Sequence, residues 1–136
     1  MSEIEVGRSI LEANQRLARG LKERYRAAGV KVLNIISSPG AGKTTLLEQT
    51  LTRLAGRLTV GVVEGDIQST NDAQRVAACG VKAVQIETRG ACHLDGQMVE
   101  QVLGAFDLAE LDLLIIENVG NLVCPAEWDL GEDLKV

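Results

Sequence analysis

The chain predicts an α/β fold, a mostly parallel sheet covered by helices on both faces and preceded by one amphipathic helix. Three observations predict it. Apolar runs alternate with helical segments in the period of βαβ units. Those runs are continuous in β-branched residues and leucine, as strands buried on both faces require. A glycine-rich turn, Ser37-Ser38-Pro39-Gly40-Ala41-Gly42-Lys43-Thr44, stands between the first such run and the helix after it.

The elements follow in order. From about Ile4 to Ala28, apolar positions recur at helical spacing, with Val6, Ile10, Leu17 and Leu21 on one face and Leu11, Ala18 and Tyr25 beside it. Gly29 supplies the stop, and Arg16, Arg19, Lys22, Glu23 and Arg24 form a solvated face. A strand over Val30–Ile36 leads through the glycine-rich turn into a helix from Lys43 to about Ala55. The strand Leu58–Val63, a helix over about Thr70–Cys79, the strand Lys82–Ile86, a helix over about Asp95–Phe106 and the strand Leu113–Ile116 complete the pattern. Four parallel strands are expected, with no further strand and helix to close the sheet beside the last. Residues 1–28 thus read as an N-terminal helix and 29–136 as one incomplete α/β domain.

Composition narrows the function. With 136 residues and 46% hydrophobic content, the chain fills a single core. A net charge of −5 and an aromatic content of 2% offer neither a basic face nor stacking platforms, so nucleic acid is not an expected partner. Met1-Ser2-Glu3-Ile4-Glu5 lacks the pattern of a signal peptide and no apolar run is long enough to span a bilayer. A cytoplasmic protein with no membrane partner is expected, and in that compartment Cys79, Cys92 and Cys124 are apolar fillers or metal ligands rather than bridges.

The chemistry gathers where the strands end, which is where open α/β sheets place their ligands. Gly40, Ala41, Gly42, Lys43, Thr44 and Thr45 form a phosphate-binding loop and helix start. Glycines there let backbone N–H groups close on phosphate oxygens, Lys43 adds a cation, and the Thr44 hydroxyl reaches Mg²⁺. Ser37 stands where the motif usually has its first glycine. Asp66 and Glu117 end apolar strands where a magnesium shell wants carboxylates; the competing readings are a helix cap for Asp66 and a solvated strand end for Glu117. Asp72 reads as a first-turn helix carboxylate. The lone histidine, His93, adjoins Cys92, and Cys124 follows the next strand in a loop that Pro125 keeps extended. Such donors select Zn²⁺, Ni²⁺ or Cu over Mg²⁺ or Ca²⁺, although by spacing alone such residues are more often buried fillers or incidental surface groups. Three ligands leave a four-coordinate site for water or a second subunit to complete. Cys79, before Gly80, reads as structural.

With these residues in place, the chain resembles the hydrogenase nickel-incorporation GTPase family, HypB, from about Val6 onward. The resemblance is carried by Ser37–Leu47, Glu64-Gly65-Asp66, Cys92-His93-Leu94-Asp95 and Ile115–Ala126. It implies a P-loop GTPase that works as a nucleotide-dependent homodimer and delivers nickel to a hydrogenase large-subunit precursor alongside a companion nickel chaperone. It further implies GTP and Mg²⁺ at Lys43, Thr44, Asp66 and Glu117, the set that performs hydrolysis, and Ni²⁺ or Zn²⁺ at Cys92, His93 and Cys124. The chain has no histidine-rich extension for nickel storage, and the Asn-Lys-x-Asp segment that reads guanine in the family is not within it. Rival readings are a urease-type nickel GTPase, whose Cys-Pro-x-His is here Cys124-Pro125-Ala126-Glu127, a P-loop small-molecule kinase with incidental Cys and His, and a non-catalytic metal-binding module.

Overall fold

A computed structural model describes residues 3–38, 42–54, 56–65, 71–88 and 90–136. Among the described residues five parallel strands form one sheet in the order β3-β2-β4-β1-β5. They are β1 (Lys31–Ile35), β2 (Val60–Glu64), β3 (Lys82–Gln85), β4 (Leu113–Glu117) and β5 (Leu134–Lys135). The expected four strands are all present, each within about two residues of its expected limits.

The edge differs from expectation. The final segment carries a fifth strand, Leu134–Lys135, paired in parallel with Leu33 and Asn34 of β1. β4 is not an edge; it runs between β1 and β2. Two exposed residues hold too little apolar pattern to read as a strand, and it is backbone pairing to β1 that makes them one.

Two layers cover the sheet. On one face, α2 (Lys43–Leu54) places Leu47 and Leu51 against Val60, Val62, Ile115 and, from α3 (Asn71–Ala77), Val76. On the other, α1 (Glu3–Ala28) and α4 (Gly96–Leu103) bring Leu21, Tyr25, Val99 and Leu103 onto Val32, Val63, Leu114 and Ile116. Among the described side chains of α1 the buried stripe is Asn14, Ala18, Leu21 and Tyr25, at spacings of four, three and four. Ile10, expected on that face, is 51% exposed, and Asn14 lies inside because its side chain has partners: Nδ2 donates to the Asp129 carbonyl at 2.8 Å and Oδ1 accepts from Gly96 N at 2.7 Å.

Tyr25 donates its hydroxyl to the Leu130 carbonyl at 3.4 Å, and burial pushes its phenol well above the usual range. The unfolded chain releases this proton near the ordinary value of about 10 while the folded chain keeps it. The stability contributed by the neutral phenol is therefore intact below about pH 10 and is lost as pH rises beyond it. Denaturant midpoints taken from about pH 9 to about pH 11 are expected to fall more steeply for the wild type than for Tyr25→Phe; parallel slopes would show that Tyr25 ionises equally in both states.

Candidate functional site: a strand-end carboxylate pair and a Cys–His cluster

The strands of the sheet run parallel, so β1 to β4 all end at the same edge. Gly42 has φ +86°, a conformation that a side chain disfavours, and its carbonyl accepts from Leu46 N at 3.0 Å to start α2. The N-terminus of α2 thus faces the strand ends, where its free N–H groups and dipole suit an anion. Thr44, in the first turn, donates its hydroxyl to Oε1 of Glu117 at 3.4 Å. Thr45 is exposed beside it. Gly40, Ala41, Asp66 and the side chain of Lys43 lie outside the described residues.

Glu117 is no solvated strand end, for it is 1% exposed at the last position of β4. A carboxylate absent from the expected set stands beside it. Glu64, also 1% exposed, pairs in register with Glu117 across β2 and β4. Two carboxylates so placed repel unless positive charge or a proton compensates them, which makes this corner suited to a cation. The signal was available in Glu64-Gly65-Asp66, since Glu64 ends an otherwise apolar strand.

Cys92, His93 and Cys124 do come together. Their ligand atoms all lie within 4.8 Å of one another, and Cys92 Sγ is 3.5 Å from His93 Nδ1. A tetrahedral ion with bonds of about 2.1–2.3 Å spaces its ligands by roughly 3.6 Å, so small side-chain shifts would close the set. Trp128 stacks on the imidazole with ring centroids 4.3 Å apart and planes at 18°. Burial lowers the His93 pKa, with Asp95 opposing, which favours the neutral ring that a metal needs. The Cys124 thiol is raised, first by its hydrogen bond with Cys92, and a metal would take the place of its proton. Cys79 lies apart, its Sγ 3.6 Å from the Arg75 carbonyl at the end of α3.

Local structure holds both arms of this cluster. Asp95 caps α4 by accepting from Met98 N at 2.9 Å, and Leu94, between His93 and the cap, is fully buried. Cys124 does not lie in an extended loop as expected; it opens a short helix, α5 (Cys124–Glu127), with Pro125 at its start. Proline suits the first turn of a helix because it lacks the N–H that would be unsatisfied there. Asn121 accepts from Val123 N at 2.8 Å and turns the chain into it.

Sequence reasoning missed Asn34 and Asn118. Both are fully buried, and Asn118 follows Glu117 directly. Within apolar runs such residues carry no pattern of their own; only the partners described below explain them.

A parallel sheet, a glycine-rich turn into α2 and a Thr–carboxylate contact at the strand ends define a P-loop nucleotide-binding domain. The chain belongs to the CobW/HypB/UreG nucleotide-binding domain family, whose pattern matches residues 31–135. It is 48% identical over 136 residues to the hydrogenase maturation factor HypB of Escherichia coli K12, covering 100% of this chain and 46% of that protein. The crystal structure of HypB from Archaeoglobus fulgidus superposes with a TM-score of 0.83 at 42% identity, over 91% of this chain and 60% of that one. That of HypB from Helicobacter pylori in complex with nickel gives 0.80 at 46% identity, over 90% of this chain and 58% of that one. The chain spans about half the length of the curated relatives it matches. Among the described residues no helix is long and apolar enough to cross a membrane.

Proposed function

We propose that this chain is the nucleotide-binding part of a GTP-switched nickel carrier for hydrogenase maturation. The observation that carries the reading is the Cys92–His93–Cys124 cluster, its ligand atoms within 4.8 Å of one another, on the sheet edge that also presents Thr44 and Glu117. Its kinship with HypB proteins, one of them solved in complex with nickel, supports the cargo.

GTP sits on the Gly40–Thr45 loop. Thr44, Asp66 and Glu117 hold Mg²⁺ or its water, and Lys43 neutralises phosphate charge as hydrolysis proceeds. Neutral His93 and the two thiolates take Ni²⁺, or Zn²⁺ in its place, and a second copy of the chain completes the coordination. Exposed Leu122 and Val123, beside Cys124, give that pairing apolar surface. The hydrogenase large-subunit precursor receives the metal, and a companion nickel chaperone works at the same step.

A nucleotide switch must change metal affinity, and linkage makes the change reciprocal. Calorimetric titration of nickel into the full-length protein is expected to give affinities that differ by roughly 5–150-fold between GDP and a non-hydrolysable GTP analogue. GTP-analogue affinity should change by the same factor when nickel is added. Equal nickel affinities in the two nucleotide states would overturn the switch, and nickel binding without any nucleotide hydrolysis would leave a metal-binding module instead.

A further inference from the structure

We propose that Asn118 is a positioning residue that conveys the nucleotide state at Thr44 and Glu117 to the metal loop at Cys92 and His93. The inference rests on the switch proposed above and names the group through which it acts.

The basis is the alternation of a strand. Glu117 shares a sheet face with Ile115, which packs in the α2 layer, and there it meets Thr44 at 3.4 Å. Asn118, one residue on, falls to the opposite face with Ile116, in the α1 and α4 layer. Adjacent residues on one stiff backbone therefore serve the two sites from opposite sides of the sheet.

Asn118 is fully buried and its side chain is spent on fixed partners. Oδ1 accepts from Leu94 N at 3.0 Å and from Val119 N at 2.9 Å. Nδ2 donates to Asn34 Oδ1 at 3.1 Å, and Asn34 Nδ2 donates in turn to Glu132 Oε1 at 3.3 Å. The backbone N–H of Asn118 donates to the Ile35 carbonyl at 3.0 Å, on the strand that leads into the phosphate loop. Leu94 follows His93 directly, and its side chain packs against Gly65, where an added Cβ would lie 2.6 Å from its Cδ1. Gly65 itself donates its N–H to the Glu117 carbonyl at 2.8 Å.

A shift of the Glu117–Asn118 backbone when γ-phosphate and Mg²⁺ are held must carry Leu94 with it or break a buried hydrogen bond. Breaking it strands a donor away from water, so the loop moves instead. His93, one residue before Leu94, is moved through this hydrogen bond, whereas Cys124 opens α5 six residues along the chain from Asn118, so the two arms of the cluster respond through different links.

The test is made on the full-length protein with nickel as the probe. For the wild type, Asn118→Ala and Asn118→Asp, nickel affinity is measured with GDP and with a non-hydrolysable GTP analogue. The ratio of the two affinities is expected to collapse to within about twofold of unity in Asn118→Ala. It is expected to be largely restored in Asn118→Asp, which keeps the acceptor for Leu94 N. In the wild type, hydrogen exchange of the Leu94 amide should differ between the two nucleotide states, a readout that needs no variant to fold. An alanine variant that keeps the full ratio, a uniform loss of nickel affinity with the ratio unchanged, or Leu94 exchange indifferent to nucleotide overturns the role of Asn118. A wild-type ratio of one overturns the switch as well, which separates the two failures.

Discussion

Replacing Cys92 with serine is expected to weaken nickel binding by more than about 100-fold, because altering even the groups that merely support a ligand costs roughly 10–100-fold. Cys124→Ser should do the same, since the two thiols face each other across one site and a hydroxyl is a poor donor for this ion. Cys79→Ser supplies the control. Its sulfur packs at the end of α3, away from the cluster, and nickel affinity should stay within about twofold of wild type. The readout is built in: Trp128, the single tryptophan of the chain, stacks on His93 with centroids 4.3 Å apart, so nickel bound there should quench its fluorescence. Cys92→Ser and Cys124→Ser that titrate like wild type would show the cluster to be incidental.

Gly131→Ala is expected to destabilise the chain by about 3 kcal/mol, through a left-handed backbone and overpacking together. Gly131 has φ +78°, and a Cβ there would lie 2.8 Å from the Ala18 carbonyl oxygen and 2.9 Å from Lys22 N. Both are atoms of the α1 backbone, which cannot step aside as a flexible side chain could. The consequence reaches the sheet, because the segment seated by Gly131 also carries Glu132, the partner of Asn34, and β5. Melting should begin roughly 10 °C lower. A shift of under about 2 °C would mean that the segment is not seated on α1 through this glycine.

The strand and helix on either side of the glycine-rich turn were legible because their pattern is local: an apolar run before it and helical spacing after it. The strand-end positions of Glu117, Cys92, His93 and Cys124 were legible for a related reason, since a parallel sheet delivers all its strand ends to one edge. Sequence order does not say that Glu64 stands beside Glu117; that follows from the β2–β4 register. The exposure of Ile10 and the burial of Asn14 reversed the apolar rule, because hydrogen bonds to Asp129 and Gly96 make a polar residue at home inside. β5 was invisible, because two residues gain strand character only from the backbone they pair with.

The amino-acid sequence by itself determined the α/β class, the order of the first four strands along the chain, the glycine-rich motif between β1 and α2 and the three candidate metal donors. Each is written in periodicity or in residue type at short range. Tertiary structure alone decided that β4 lies between β1 and β2, that the donors lie within 4.8 Å of one another, and that Glu64 stands beside Glu117. It also decided that Asn14, Asn34 and Asn118 are interior bridges. The physical reason is common to all of these. A buried amide or carboxylate is tolerated only where particular partners meet it, and apart from the neighbouring Val119 N–H the side-chain partners of Asn34 and Asn118 lie 24 to 98 residues away, which only the folded chain brings within reach.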